Sequence, residues 1–288
     1  MLIGAALGFG LVAAILLGAW VRRRRPGIPG GGDPDRAGMA VVLGLGVAMP
    51  IAVLATLFVV GDIFLIRHTT LPTAAAGDRP KLTVRVIGHQ FWWEVRYPGT
   101  TVVTANEIHI PARTNVQVLV HTDDVIHSFW VPQLNRKIDM LPEQTNRVLL
   151  YADKPGRYRG QCAEFCGLQH AHMGLYVFAD PPARFRAWLA REGKPAPRPG
   201  GQGERLFVSD CGSCHTIRGT AADGDTGPDL THVGSRTSLA ALAIPNTPVR
   251  MAQWIRDPQA VKPGSQMPAV ALTDAVVRRL VAYLEAQR

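Results

Sequence analysis

Apolar positions along the chain change their spacing twice. Residues 2–21 contain no charged side chain, and about twenty apolar residues are what an α-helix needs to cross a bilayer. Arg22, Arg23, Arg24 and Arg25 follow this run instead of preceding it. The stretch therefore reads as a transmembrane helix with a cytoplasmic basic anchor and an outside N-terminus, not as a cleaved leader. A second apolar run, 38–66, is interrupted by Pro50 and, near its far end, by Asp62. It returns the chain outside and predicts a helical hairpin over residues 1–70, packed on a larger membrane protein whose helices satisfy the carbonyl that Pro50 frees.

From 81 to 180 the period drops to that of strands. Leu82, Val84 and Val86 alternate with Thr83 and Arg85, and residues 116–120 and 147–151 read as further strands. Close spacing with Pro and Gly turns predicts an antiparallel barrel or sandwich. A short helical piece at 183–191 precedes a stretch rich in Pro and Gly, so 181–202 reads as a linker, with a domain boundary near 198. Beyond it the helical period returns. Residues 203–207 open one helix, and 273–287 form another with Val277, Leu280 and Leu284 on one face.

The length of 288 residues allows two compact domains besides the hairpin. Hydrophobic residues make up 47% of the chain, concentrated at the front. The net charge is +9, yet basic and acidic residues nearly balance over 81–180 and again beyond 198. The surplus lies before residue 81 and in the linker, which gives nucleic-acid binding no support.

Chemistry is densest in Cys162-Ala163-Glu164-Phe165-Cys166-Gly167-Leu168-Gln169-His170-Ala171-His172-Met173. Thiolate, imidazole and thioether together favour copper over magnesium or calcium, and the paired spacing of structural zinc is missing. A further imidazole comes from His127, which stands among apolar residues in Asp124-Val125-Ile126-His127-Ser128-Phe129-Trp130. Two disulfides among the four cysteines are the plain alternative. His172 competes with His170, and Met173 taken alone reads more often as core filler than as a ligand.

The pattern Cys-x-Glu-x-Cys-Gly-x-x-His-x-x-Met, after an Asp-Val-Ile-His-Ser segment, resembles cytochrome c oxidase subunit II. The resemblance implies a cupredoxin-like barrel carrying CuA, a copper pair bridged by the sulfurs of Cys162 and Cys166. His127, His170, Met173 and the carbonyl of Glu164 complete the implied ligand set. It also implies a magnesium ion at the interface with subunit I, held in part by Glu164, with Asp139 and Asp124 as neighbours. The aromatic cluster after His89-Gln90 marks where electrons arrive in this family, making Phe91, Trp92 and Trp93 candidates. Packing is the other reading of the two tryptophans. Many relatives place Trp where this chain has Phe91. Relatives also often carry a Glu near the cytoplasmic start of the second helix; Asp33-Pro34-Asp35-Arg36 has none.

Cys211-Gly212-Ser213-Cys214-His215 is the attachment pattern of c-type haem, with both thiols joined to the ring and His215 on the iron. A thioredoxin-like dithiol is the alternative, but no strand–helix–strand pattern surrounds it. The segment around it resembles a class I cytochrome c, in which the stretch matching Gly227-Pro228-Asp229-Leu230 supplies the carbonyl that receives the His proton. Met267, in the loop 263–268, is expected as the second axial ligand, with Met251 and His232 as competitors.

The whole reads as a multidomain membrane protein: a two-helix transmembrane hairpin (1–70), an all-β cupredoxin-like CuA domain (81–180), a linker (181–202) and an all-α class I cytochrome c domain (203–288). The resemblance implies an electron-transfer subunit II of a haem-copper terminal oxidase with no oxygen-reducing site of its own. Its implied partners are subunit I, subunit III and a donor cytochrome or upstream respiratory complex. It would sit in a bacterial-type cytoplasmic membrane with both cofactor domains on the outer face. The alternatives are the CuA and haem c subunit of a nitric oxide reductase, and a copper-delivery protein, which would need neither Met173 nor a tethered haem.

Overall fold

The computed structural model describes residues 2–23, 34–69, 79–134, 136–197 and 200–288. Arg24, Arg25 and Asp33, and residues 198 and 199 at the expected domain boundary, lie outside that set. The chain divides into two units, Met1–Thr70 and Leu71–Arg288.

In the first unit, α1 spans Leu2–Arg23, α2 Pro34–Leu43 and α3 Met49–Thr69. Between α2 and α3 the helix widens into a π-turn, Gly44–Ala48, where Met49 N–H reaches back to Gly44 O. Pro50 explains the position: its ring has no N–H and clashes with the carbonyl four residues back, so the preceding turn loosens. The segment Gly38–Gly61 has a mean hydropathy of 2.4 and is long and apolar enough to cross a membrane, and within α1 the side chains described form the apolar stretch Gly8–Val21. Leu54, Phe58 and Leu16 stand exposed on these helices, as expected of surfaces that meet lipid or another helix.

In the second unit, ten strands form two five-stranded sheets. The first has the order β3 (Val103–Ala105), β2 (Trp92–Arg96), β1 (Leu82–His89), β5 (Val116–Thr122), β8 (Asn146–Leu150). The second runs β4 (Glu107–Pro111), β10 (Gly174–Asp180), β9 (Gly156–Cys162), β6 (His127–Trp130), β7 (Ile138–Met140). Of the expected antiparallel barrel or sandwich, the sandwich forms, since the sheets are separate, but the pairing is not wholly antiparallel: each sheet contains a parallel pair, β1 with β5 and β4 with β10. The alternation seen in sequence places Val84, Val86, Val116, Val118 and Val120 in the core between the sheets.

The linker is packed where it is described. Helix α4 (Pro182–Glu192) lays Phe185 and Trp188 into the sandwich core, and Ala196 belongs to the core of the following helical domain. Trp188 stacks on His109 at 4.1 Å and meets Tyr97 edge-on at 5.2 Å. Helices α5 (Gly201–Asp210), α6 (Pro248–Arg256), α7 (Pro258–Val261) and α8 (Asp274–Glu285) build the last domain. Phe207 of α5, Met251 of α6 and Leu280 of α8 meet in its core. Thr273 caps α8 by accepting from Val276 N–H.

Trp188→Ala should cost about 3 kcal/mol of stability, as for other buried aromatic truncations. The check is a lowered unfolding midpoint of the detergent-solubilised chain; an unchanged midpoint would detach α4 from the sandwich core.

Candidate metal centre and haem cleft

The strand register of the second sheet brings three distant segments to one end. His127 opens β6, Cys162 ends β9, and Met173 immediately precedes β10. Pairing sets Phe129 opposite Cys162 and Gln161 opposite Gly174, so the ends of β6, β9 and β10 lie side by side. The loop from β9 to β10 folds over them, carrying Cys166 and a 3-10 turn, His170–His172.

Six donor atoms converge there. His127 Nδ1 lies 3.8 Å from Cys162 Sγ, Cys162 Sγ 3.9 Å from Cys166 Sγ, and Cys166 Sγ 3.7 Å from His170 Nδ1. Met173 Sδ is 3.8 Å from Cys166 Sγ, and the Glu164 carbonyl is 3.2 Å from Cys162 Sγ. The sulfurs are unbonded, since a disulfide needs about 2.05 Å. A buried pair of sulfurs with imidazole, thioether and carbonyl around it suits soft, closely spaced metal ions. His127, Cys162 and Cys166 are all buried and form a group able to hold a metal.

The electrostatics favour metal there. Hydrogen bonding from the Cys166 thiol pulls the Cys162 sulfur down to about 3, against burial, and His127 adds to that effect. Cys166 moves up, because it holds the shared proton and a second negative sulfur beside the first is unfavourable. His127 Nε2 bonds to Asp124 Oδ1 at 2.8 Å, which leaves Nδ1 for the sulfur side. Burial opposes a charge on that ring, but Asp124 and Cys162 outweigh it and raise its pKa. Asp124 is itself fixed by the backbone N–H groups of Gln90 at 2.6 Å and Val125 at 2.6 Å.

The second constellation is a cleft in the helical domain. Two hollows of about 800 and 850 Å³, mouths included, share His215, Pro228, Trp254 and Met267 on their walls. Cys214 borders one and Cys211 the other. His215 Nδ1 donates to the Pro228 carbonyl at 2.9 Å, leaving Nε2 free for iron. Burial lowers the pKa of this ring and favours its neutral, ligating form. Gly227 is needed for that approach: a Cβ there would fall 2.6 Å from His215 Cε1. Arg236 borders the larger hollow with a buried Nε that has no hydrogen-bond partner, which a haem carboxylate would satisfy. Apolar walls, paired thiols, a neutral His and a buried guanidinium with one unpaired N–H fit a haem.

Residues 99–179 match the family model "Cytochrome C oxidase subunit II, periplasmic domain", and residues 201–287 match that of cytochrome c. The chain joins a cytochrome c oxidase subunit II periplasmic domain to a cytochrome c domain. Cytochrome c oxidase subunit 2 of Alkalihalophilus pseudofirmus is 36% identical over 219 residues, covering 74% of this chain and 63% of that one. The Bacillus subtilis protein of that name is 30% identical over 220 residues, covering 71% and 62%. The chain thus spans a little under two thirds of these curated relatives. The crystal structure of the periplasmic domain of subunit II of cytochrome oxidase from Bradyrhizobium japonicum is 28% identical, covering 40% of this chain and 95% of that one, with a TM-score of 0.39.

Within the subunit II domain, His170 rather than His172 faces the sulfurs, because His172 Nδ1 is turned to Gln169 Oε1 at 2.8 Å. Phe91 and Trp92 border the smaller hollow beside Cys214 and His215, and Trp92 stacks on His89. Trp93 departs from the expectation for an arrival point: it is 0% exposed, and its Nε1 donates to Met173 O at 3.3 Å. Indole bulk in the core puts it beneath the ligands. In the cytochrome c domain, Met267 borders both hollows, while Met251 is buried in the core and borders one. His232 borders neither hollow, and its Nε2 is bonded to Lys194 O. Sequence reasoning missed Gln90, whose Nε2 donates to Cys166 O at 2.5 Å, and Lys262. Neither carries a motif.

Gly227→Ala should displace the His215 ring from the Pro228 carbonyl. The expected result is reduced covalent haem content and loss of the low-spin absorption spectrum, read on the purified chain; a parental spectrum would show that the close approach is not needed.

Proposed function

We propose that this chain is the electron-carrying subunit II of a haem-copper terminal oxidase, receiving electrons at a haem c in 203–288 and passing them through a copper pair in 81–180 to a separate oxygen-reducing subunit I. The observation that carries this reading is the convergence of the Cys162, Cys166, His127, His170 and Met173 donors in the same compact unit as the His215 and Met267 cleft. The copper pair and the haem would supply reversible one-electron chemistry. The protein's part is to hold ligands so stiffly that gaining or losing an electron moves them little.

Cys162, Cys166, His127 and His170 would hold the coppers. Met173 and the Glu164 carbonyl are the weaker donors, suited to tuning the potential. A copper-delivery protein has no use for the buried thioether or for the cleft beside it. Cys211 and Cys214 would anchor the haem, and His215 and Met267 would hold its iron.

Partner surfaces follow from exposure. Phe165 is 75% exposed beside Cys166, and Val125 and Ile126 precede His127 at 38% and 44%. Apolar residues clustered on the rim of a site mark a docking face, which we assign to subunit I. Glu164 and Asp139 both reach Lys137, at 3.3 and 3.4 Å, so a magnesium ion at that interface would take this acidic pair from the lysine. Asp124 is committed to His127 and Gln90 and is withdrawn from the magnesium set. The N-terminal helices would cross the membrane twice, placing residues beyond 80 outside.

Cys166→Ser should abolish the electron paramagnetic resonance pattern of one electron shared over a copper pair, whereas Met173→Leu should keep the pair and shift its potential. A signal from an isolated copper in the parent chain would sink the assignment. Met267→Ala should remove the sulfur-to-iron band at the red edge of the visible spectrum; its survival would transfer the ligand role to Met251. Protease added to spheroplasts should cut beyond residue 80, and protection there would overturn the topology.

A further inference from the structure

Lys262 lies five positions before Met267, in the loop that carries it, yet it is only 2% exposed. Its Nζ donates to three carbonyls, Phe91 at 2.7 Å, His172 at 2.9 Å and Ala240 at 2.9 Å. In the ammonium form all three N–H bonds are thereby used, against a burial that pushes the lysine's pKa down to about 7. The acceptors come from separate segments. Phe91 follows Gln90, which holds Cys166 O. His172 stands between His170 and Met173 in the copper-side loop, and Ala240 belongs to the cytochrome domain.

Other bonds cross at the same place. Gln169 Nε2 donates to Pro263 O at 2.8 Å, directly beside Lys262 in sequence. Ala240, Ala241 and Leu242 all have left-handed backbone, with φ of 52°, 56° and 67°. Residues with a Cβ avoid that region, so such a run persists only where its surroundings hold it. Lys262 holds Ala240 O, and Gly174 N–H, at the start of β10, donates to Ala241 O at 3.1 Å. Gly174 also makes room for Leu242, whose Cδ1 would lie 3.0 Å from a Cβ there.

We infer that Lys262 is a positioning residue, a buried clasp that fixes the Met267 loop of the cytochrome domain to the copper-ligand loop and so sets the geometry for electron transfer between the two cofactors. The inference rests on the function proposed above. With both cofactors bound, the step it would serve takes one electron from the haem iron, which is oxidised, to the copper pair, which is reduced. Lys262 donates no electron and binds neither metal. A soluble donor docked by surface charges is loosened by salt. Carbonyls bonded to an ammonium inside the protein are shielded from it.

The test uses the full chain in detergent, loaded with haem and copper, and its Lys262→Met and Lys262→Gln variants. Lys262→Met matches the stem but takes this donor from the Phe91 and His172 carbonyls and leaves Ala240 O with only the Ala243 N–H at 3.4 Å, and Lys262→Gln keeps part of the donation. Both variants should retain the parental haem and copper spectra. Photoreduction of the haem should be followed by copper reduction that is slowed roughly tenfold or more in Lys262→Met, the effect of losing charged hydrogen bonds on a docked population. The loss in Lys262→Gln should be smaller. In the parent the rate should not change with salt.

A second readout needs no cofactor. Hydrogen exchange of the Gly174 amide, whose bond crosses the interface, should accelerate in Lys262→Met, while Val118 inside the sandwich stays protected. Parental transfer and parental Gly174 protection in Lys262→Met would overturn the inference. So would a changed Met267 sulfur-to-iron band, which would make the lysine a support of the haem pocket alone. If Lys262→Met does not fold, Lys262→Gln decides by the same two readouts. Should the parent bind neither copper nor haem, the proposed function fails, while Gly174 exchange still reports on the clasp.

Discussion

Two sulfurs held 3.9 Å apart inside the protein without a bond between them are the constraint on which the site depends. Left to themselves, buried thiols at this range would oxidise together or keep their protons. The scaffold prevents collapse by giving each sulfur a different support. Cys162 ends a strand whose partners on both sides are fixed by backbone bonds, while Cys166 rides the following loop, its carbonyl held by Gln90. The site is stiff on one side and adjustable on the other. Such a frame suits a metal that must change charge without moving its ligands.

The same frame extends outward through Asp124. Its carboxylate fixes the His127 ring and accepts backbone N–H groups from Gln90 and Val125, so the imidazole is oriented by the turn that also carries Phe91. The turn between β1 and β2 thus faces the sulfurs on one side and the cleft of the cytochrome domain on the other. This double contact gives Phe91 its place. It is buried, packs near Gly167 of the ligand loop and borders the hollow beside His215. A tryptophan presented to a separate donor would have no free surface there, because the attached domain already covers it.

Docking of the two domains is also broader than a tether implies. Arg218 reaches Thr101 O at 2.7 Å and Glu192 O at 2.5 Å, and Thr237 gives two hydrogen bonds to Glu107 Oε1. Helix α4 closes the sandwich with aromatic rings before the chain passes on. Glu107 is buried, and a buried carboxylate is costly unless hydrogen-bonded. Its bonds to Thr237 therefore favour the docked arrangement.

The sequence by itself determined the donor chemistry and the order of domains. Paired cysteines with His170 and Met173 at fixed spacing, the Cys-x-x-Cys-His pattern and two apolar runs are local signals, because ligand type and helix length are properties of short segments. Period-two alternation likewise marked the strands of 81–180, and Thr273 marked the start of the last helix. Tertiary structure decided what depends on segments far apart in the chain. Parallel pairing of β1 with β5 and β4 with β10 is a register between distant strands, and no alternation pattern encodes it. That His170 faces the sulfurs while His172 turns to Gln169 shows only in the folded loop, as does the bond between His232 and the Lys194 carbonyl. Lys262 is the clearest case. A lone lysine among Pro and Gly reads as solvated surface, and only the packing of three segments around it makes it a buried joint.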